Sequence, residues 1–269
     1  MNKPHGEPVA KGVRLGLGEA VSFVLPQEVP IGLLYNDLAY AVMMATPDDF
    51  KDFALGFSLS EGVINKADEL LSIAQKQRKN GIELRLEITD KRFERLQLHL
   101  RRRAHFARSG CGLCGIDDLN DAIRPLPQLP PSGNKTSIKA MLRAVNDFER
   151  AQPLRATNRS VHGAAFVGSN GKIILVREDI GRHNALDKLI GAGASAAIDW
   201  EDGFVLLSSR CTYELVQKCA LSGISTMVCL SAPSNAAIKT AQKTSIGLAI
   251  FERQTNSFVA FANIERFEN

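Results

Sequence analysis

The most constraining feature of this sequence is a regular alternation of strand and helix patterns in its last third. Apolar runs at 203–207, 224–230 and 246–251 predict buried strands, and the runs at 211–222 and 233–243 predict helices between them. Since a helical crossover joins neighbouring parallel strands, the alternation predicts a mainly parallel α/β layer.

A proline-rich segment divides the chain into two regions. Residues 125–134 hold four prolines and one glycine, a composition typical of a linker. We therefore predict an N-terminal α+β domain over 1–125, rich in strands, and an α/β domain over 126–269.

Thr46 is expected to cap a helix that ends at Gly62, with Pro47 at the first position of that helix. Residues 1–12 are expected to be frayed. The other predicted elements are strands at 21–25, 31–34, 38–44, 82–88, 161–167, 172–177 and 257–262, and helices at 90–103, 136–150 and from about 182.

Charge and cysteine content narrow the classes of partner. The formal net charge of +4, from 33 basic and 29 acidic residues, is too small to indicate a nucleic-acid-binding protein. No apolar run approaches about 18 residues, and the opening residues lack the apolar segment of a secretory signal. The five cysteines form an odd set, which is typical of reduced thiols. We therefore expect a cytoplasmic protein with no membrane or nucleic-acid partner.

Two cysteines, Cys111 and Cys114, stand in a glycine-rich stretch that runs Gly-Cys-Gly-Leu-Cys-Gly. Glycine gives such a stretch conformational freedom, and the basic residues at 101–108 favour thiolates. Four interpretations stay open: a zinc site, a thioredoxin-type redox pair, incidental thiols, or a persulfide carrier or other reactive thiol. Because a structural zinc site normally needs two such pairs and only one is present, we predict no metal.

A second group of polar residues lies where a strand is predicted to end and a helix to begin. Gly181, Arg182 and His183 follow the acidic pair at 178–179. Backbone N–H groups at a helix N-terminus bind anions, so these residues are candidates for holding one. Helix capping and a surface ion pair explain the same pattern. His162 lies inside a predicted strand, and it becomes a candidate functional residue only if it faces His183.

Two more candidate sites follow predicted buried strands. Residues 208–211 (Ser-Ser-Arg-Cys) and the segment that begins at Ser231 both lead into helices, and ligands of α/β sheets bind at such strand ends. Arg253, after the next strand, is suited to holding a phosphate or stacking on a base. Two ordinary turns at 231–234 and 251–256 explain the same pattern. Glu214 and Lys218, four residues apart on a helix, are expected to form an ordinary surface pair.

Taken together, these segments resemble the formate dehydrogenase accessory protein family, FdhD. The resemblance covers about residues 28 to 267 and is most specific in the run at 177–188, Arg-Glu-Asp-Ile-Gly-Arg-His-Asn-Ala-Leu-Asp-Lys. It also shows in the Cys111 motif, in 161–164 (Val-His-Gly-Ala) and in 231–234 (Ser-Ala-Pro-Ser). Two departures concern cofactor contacts: 157–160 reads Thr-Asn-Arg-Ser, and the segment from Phe251 lacks the family's glycine-rich form.

The resemblance implies a sulfurtransferase that acts as a sulfur carrier. Cys111 would hold a persulfide received from a cysteine desulfurase, with Cys114 as its partner. The sulfur would pass to the molybdenum cofactor, a bis(molybdopterin guanine dinucleotide), on its way to formate dehydrogenase. This cofactor would be a transient ligand, with GDP as its mimic, and none would be permanently bound. The resemblance also implies a homodimer and a three-layer C-terminal domain like that of cytidine deaminases. The predicted cofactor-binding residues are Gly181, Arg182, His183, Ser231, Phe251, Glu252, Arg253, Gln254, Thr255 and Asn256.

Two rival functions are open to test. A zinc deaminase would need a His-x-Glu motif and a Pro-Cys-x-x-Cys motif, but Ala164 stands where the glutamate would follow His162, and glycine precedes the cysteine pair. The other rival is a non-catalytic chaperone that binds the cofactor and apo formate dehydrogenase. In that case the thiols of Cys111 and Cys114 would have no functional role.

Overall fold

The alternating region folds into a six-stranded sheet with strand order β13-β12-β11-β10-β8-β9. The computed structural model describes residues 8–104, 125–131 and 134–268. The strands are β1 (Val9–Arg14), β2 (Glu19–Val24), β3 (Val29–Tyr35), β4 (Leu38–Ala45), β5 (Leu70–Arg78), β6 (Gly81–Ile88), β7 (Thr136–Ser137), β8 (His162–Gly168), β9 (Ile173–Asp179), β10 (Gly203–Cys211), β11 (Thr226–Pro233), β12 (Gly247–Glu252), β13 (Ser257–Ala262) and β14 (Phe267–Glu268). The α-helices are α1 (Phe50–Ser60), α2 (Asp90–Ala104), α3 (Ile138–Phe148), α4 (Pro153–Asn158), α5 (Arg182–Ser195), α6 (Tyr213–Leu221) and α7 (Asn235–Thr244).

The prediction of a mainly parallel sheet is wrong outside its centre. Strands β10, β11 and β12 are parallel to one another, whereas the β10–β8, β8–β9 and β12–β13 pairs are antiparallel. Short hairpin turns join β8 to β9 and β12 to β13, and such turns join only antiparallel strands. The sheet is therefore mixed.

Helices cover both faces of the six-stranded sheet. On one face, the strands pack against apolar side chains of α5, α6 and α7, such as Leu189, Leu215 and Ala241. On the other face they pack against α3, through Met141 and Phe148. The mixed α/β class and a three-layer arrangement are thus observed, while the likeness to cytidine deaminases stays a prediction.

A separate four-stranded sheet, in the order β4-β3-β6-β5, forms from the first part of the chain. Its core face packs against α1, through Phe53 and Phe57. Strand β5 was not predicted, because its residues are mostly polar and exposed. Residues 9–12 are paired with β2 in a two-stranded sheet and so are not frayed as expected. The domain boundary after residue 125 stays a prediction.

The expected role of Thr46 is wrong. Helix α1 begins only at Phe50, and its N-cap, Asp49, has a left-handed backbone conformation. The Thr46 hydroxyl instead accepts the backbone N–H of Ile180, and its own N–H donates to the Asp179 carboxylate. Thr46 therefore ties the smaller sheet to the end of β9.

Two glycines let α1 and α5 pack with their backbones in contact. A Cβ atom at Gly56 would overlap the carbonyl group of Asp187, and one at Gly191 would overlap the carbonyl group of Asp52. Since backbone atoms cannot move aside as a flexible side chain can, any side chain here would push the helices apart. This contact fixes α5 against the four-stranded sheet and its helix.

Gly56→Ala is expected to destabilise the protein by about 1–3 kcal/mol, the usual cost of overpacking a buried contact. Urea unfolding followed by circular dichroism measures this change. Gly32→Ala is the control, because its nearest new neighbour would be the carbonyl oxygen of Ile82 at 3.8 Å, an ordinary contact. Equal stabilities of the two variants would contradict the close packing of α1 on α5.

Across the described residues, no helix combines the length and apolar character needed to cross a lipid bilayer.

Candidate functional site

The predicted strand-end residues meet at one edge of the six-stranded sheet. Strands β9, β10, β11 and β12 all end there, and β8, which runs antiparallel to β10, begins there with His162. From β12 to β9 the edge spans four strand spacings, about 19 Å. The site is therefore an elongated edge with room for an extended ligand.

The N-terminus of α5 lies at this edge. Gly181 is its N-cap, and no side chain in the described part of the chain caps the helix, so the first backbone N–H groups keep their capacity to bind an anion. The Arg182 Nε atom is buried and lacks a hydrogen-bond partner among the described residues. The sequence prediction of an anion-binding geometry at 181–183 is compatible with these features, and binding itself stays a prediction.

His183 pairs with Glu214 of α6, with 2.8 Å between Nε2 and the carboxylate. Burial, together with the nearby Arg182 and Lys218, lowers the pKa of His183, against the opposite effect of the Glu214 carboxylate. The imidazole is therefore mostly neutral at pH 7 and serves better as a hydrogen-bonding group than as a fixed positive charge.

Three other polar residues of the 177–188 run, Asp179, Asn184 and Lys188, make contacts that hold the fold together. The buried Asp179 carboxylate accepts the backbone N–H of Gly181 at 2.8 Å and the Asn184 side chain at 3.0 Å, and it pairs with Lys188 at 2.8 Å. Lys188 also donates to the Thr46 carbonyl at 3.0 Å. These contacts hold the N-terminus of α5 in place, so they position Arg182 and His183 at the edge.

A second buried ion pair involves Asp187, which lies one helical turn after His183 on α5. Lys218 of α6 contacts the Asp187 carboxylate at 3.0 Å and the Glu61 carboxylate at 2.8 Å, and Ser60 donates to Asp187 at 2.5 Å. The prediction of a surface pair between Glu214 and Lys218 is therefore wrong, because Lys218 is buried and turned toward α1 and α5. Together the His183–Glu214 and Asp187–Lys218 contacts join α5 to α6.

Burial sets the protonation of this second pair. It raises the pKa of Asp187 to about 6, although Lys218 and the Ser60 hydroxyl lower it. Burial also lowers the pKa of Lys218, but the Asp187 and Glu61 carboxylates outweigh this effect, so the pKa lies above its ordinary value. Lys218 is therefore charged at pH 7, and it needs the Asp187 carboxylate as its partner.

The ends of β10 and β11 place Arg210 next to Ser231, which are partners in the parallel register. Arg210 is exposed and Ser231 half-buried. Cys211, the last residue of β10, accepts the backbone N–H of Ser234 through its carbonyl oxygen. Both predicted segments thus reach the edge, at its middle.

Three cysteines lie beneath the edge and are free thiols: Cys211, Cys219 and Cys229. All three are fully buried. Burial raises the pKa of Cys219, and the hydrogen bond with Cys211 followed by burial raises that of Cys229. Because the thiolate is the nucleophile, Cys219 and Cys229 are unreactive at neutral pH.

The segment predicted to contact the cofactor, residues 251–256, comprises the end of β12 and the turn that leads to β13. Phe251 and Phe258 pack with ring centroids 5.3 Å apart and hold the base of this hairpin. Asn256 adopts a left-handed conformation with φ of 51°, which asparagine tolerates well. Glu252 is half-buried, whereas Arg253, Gln254 and Thr255 are exposed at the tip. The turn occupies the end of the edge opposite α5.

The cysteine pair Cys111 and Cys114 lies outside the described residues. Within 8–104, 125–131 and 134–268, no group of three or more His, Cys, Asp or Glu side chains is arranged to hold a metal. The catalytic and metal predictions for the cysteine pair therefore stay predictions.

Sequence reasoning missed one basic residue at the edge. Arg155 lies on the short helix α4, and its guanidinium donates to the carbonyl oxygen of Val161 at 3.2 Å, next to His162. Nothing in the local sequence pattern distinguishes this arginine, since only the fold brings α4 against the start of β8.

Comparisons with known proteins agree on one family. The family model described as the FdhD/NarQ family matches residues 26–268. The chain is 40% identical to a sulfur carrier protein FdhD from Bordetella petrii, over 87% of this chain and 83% of that one. It is 41% identical to one from Cupriavidus necator, over 90% and 83% of the two chains. A crystal structure of a proposed formate dehydrogenase accessory protein from Desulfotalea psychrophila shares the fold, with a TM-score of 0.73 at 21% identity over 97% of this chain and 99% of that one.

Proposed function

Because the chain belongs to the FdhD/NarQ family, we propose that it is a sulfur carrier that serves formate dehydrogenase. Cys111 receives sulfur from a cysteine desulfurase, and the sulfur passes to the bis(molybdopterin guanine dinucleotide) molybdenum cofactor. The observation that carries the proposal is the match over residues 26–268, which includes the Cys111 and Cys114 motif and joins the chain to relatives named as sulfur carriers. In this role the protein is a sulfurtransferase.

Sulfur loading on Cys111 is a simple exchange between sulfur atoms. The Cys111 thiolate attacks the terminal sulfur of the desulfurase persulfide, a new S–S bond forms on Cys111, and the donor S–S bond breaks. The donor cysteine leaves as a thiolate, and no oxidant or reductant is consumed. The buried Cys219 and Cys229, whose pKa values are raised, do not compete for this sulfur.

The elongated sheet edge supports the cofactor part of the proposal. A pterin with two guanylyl arms is long and carries several phosphate charges, and the edge extends about 19 Å between the Arg253 turn and the N-terminus of α5. At one end stand uncapped N–H groups and the orphaned Nε of Arg182. Arg253 stands exposed at the other end. The described residues therefore fit an extended anion.

The location and partners complete the proposal. We place the protein in the cytoplasm, because persulfide chemistry needs reduced thiols and the three described cysteines are free. The desulfurase and formate dehydrogenase are its protein partners, and a homodimer is its assembly. The two protein partners and the homodimer come from the family resemblance.

GDP is expected to bind as a mimic of one cofactor arm, and Arg253→Ala to weaken binding about tenfold, the loss of one charge-assisted contact. Isothermal titration calorimetry at millimolar GDP measures both. Arg143→Ala is the matched control: Arg143 is exposed on α3, on the opposite face of the sheet, so GDP binding should change less than twofold. Absence of GDP binding to the unaltered protein would overturn the assignment of 251–256.

A further inference from the structure

Three arginines, Arg155, Arg182 and Arg210, lie close enough to His162 to act electrostatically on it at the edge of the sheet. His162 pairs with Asp179 of β9, three residues before Arg182, and the next residue, Gly163, donates its N–H to the Ser208 hydroxyl of β10, two residues before Arg210. His162 therefore lies between the ends of β9 and β10.

The third arginine, Arg155, approaches from α4. It donates to the carbonyl oxygen of Val161, the residue before His162. Three different elements thus place an arginine within electrostatic reach of one histidine, although the arginines are widely separated in the sequence.

The positive charges of this cluster are not neutralised within the described part of the chain. Arg155, Arg182 and Arg210 each lack an ion pair within 4.0 Å there. The Arg182 Nε atom is buried and has no hydrogen-bond partner among the residues that the structure describes. A buried guanidinium nitrogen without a partner is costly, so a ligand that accepts its hydrogen bond would be stabilised.

The two neighbouring carboxylates are already engaged elsewhere. Glu178 accepts the backbone N–H groups of Leu154 and Arg155, both at 2.8 Å, at the start of α4. Asp179 pairs with Lys188 and with backbone and amide donors, as described above. Arg155 still acts electrostatically on Glu178, and Asp179 on His162. Because these two carboxylates are outnumbered by three guanidinium groups and Lys188, the cluster keeps a net positive charge at the edge.

We propose that Arg155, His162, Arg182 and Arg210 form a binding site for a diphosphate group. Planar guanidinium groups match phosphate oxygens in paired hydrogen bonds, and three of them suit a group with several negative charges better than a single carboxylate. The inference deepens the proposed function and rests on it. The cluster holds the diphosphate of one cofactor arm, three strand spacings, or about 14 Å, from the Arg253 turn.

His162 gives the site a pH dependence. Burial lowers the pKa of His162, and Arg182, Arg155 and Arg210 lower it further, against the opposite effect of Asp179. A diphosphate bound among these groups brings negative charge and raises the pKa of His162, so His162 takes up a proton on binding. Affinity for a diphosphate ester, whose own charge stays constant near neutral pH, should therefore increase as the pH falls through the pKa that His162 has in the complex.

Inorganic pyrophosphate is the probe of this site. In calorimetry at pH 7, Arg155→Gln and Arg210→Gln should each raise its dissociation constant about tenfold or more. Arg150→Gln removes one exposed positive charge five residues before Arg155 and should change the constant less than twofold. In NMR titrations, pyrophosphate should raise the pKa of His162 in the unaltered protein and not in the Arg155→Gln/Arg210→Gln double variant.

Further outcomes separate this inference from the proposed function. The double variant should weaken GDP and pyrophosphate alike, and loss of GDP binding alone would overturn a diphosphate site. Unaltered pyrophosphate binding in the double variant, or loss of it only in Arg253→Ala, would also overturn it. Sulfur loading of the unaltered protein by a desulfurase tests the proposed function separately. If the desulfurase loads sulfur onto the protein but pyrophosphate does not bind, only the diphosphate site is overturned. If pyrophosphate binds at the cluster but no sulfur is loaded, the sulfur-carrier function is overturned.

Discussion

Cys111→Ala is expected to reduce the activation of formate dehydrogenase to the level seen without the protein. In the proposed function the Cys111 sulfur is the atom that accepts the transferred sulfur, and alanine provides no nucleophile to replace it. The measurement is formate-dependent reduction of a dye by extracts of cells that contain formate dehydrogenase and either the unaltered protein or the variant, at matched protein levels.

A buried cysteine provides the control for this experiment. Cys219→Ala removes a thiol that is fully buried and whose pKa is raised, so activation should be retained when the variant is folded. Full activation of formate dehydrogenase by Cys111→Ala would show that the Cys111 thiol has no part in the function. The protein would then be a chaperone that binds the cofactor and the apoenzyme without carrying sulfur.

Lys218→Met is expected to destabilise the protein by about 3–5 kcal/mol, the usual cost of leaving a buried charge without its partner. Lys218 is the only residue in a described ion pair with Asp187, whose carboxylate is fully buried. Without it the pKa of Asp187 should rise further above about 6, because burial is then opposed only by the Ser60 hydroxyl. Urea unfolding at pH 7 measures the loss.

A double variant separates the missing partner from lost packing. Asp187→Asn/Lys218→Met removes both charges, so it should recover a large part of the stability lost in Lys218→Met. Lys239→Met, which alters an exposed lysine of α7, should change stability by less than about 0.5 kcal/mol. A Lys218→Met variant as stable as Lys239→Met would contradict the view that this pair joins α5, α6 and α1.

Periodicity predicted the elements that bury continuous apolar surface. The strands at 203–207 and 224–230 were predicted because nearly every side chain in them enters the core between two helical layers. Strand β5 was missed for the opposite reason. Its Gln75 and Lys76 face solvent, and only pairing with β6 makes the segment a strand.

The site was predictable only as separate pieces. Strand ends marked Arg182, Arg210 and Ser231, because glycine or serine beside a predicted helix start is a local signal. Sequence alone could not distinguish residues that face the edge of the sheet from buried residues that hold the edge in position. Asp179 and Lys188 are buried partners of Thr46, some 130–140 positions away in the chain, and no local pattern contains that distance.

Mass spectrometry of the protein after incubation with a cysteine desulfurase and cysteine tests the central claim most directly. The proposed function predicts a gain of one sulfur atom on the peptide that contains Cys111 and Cys114, removable by a thiol reductant and absent from Cys111→Ala. No gain of sulfur, or a gain confined to the peptides that contain Cys211, Cys219 or Cys229, would contradict it.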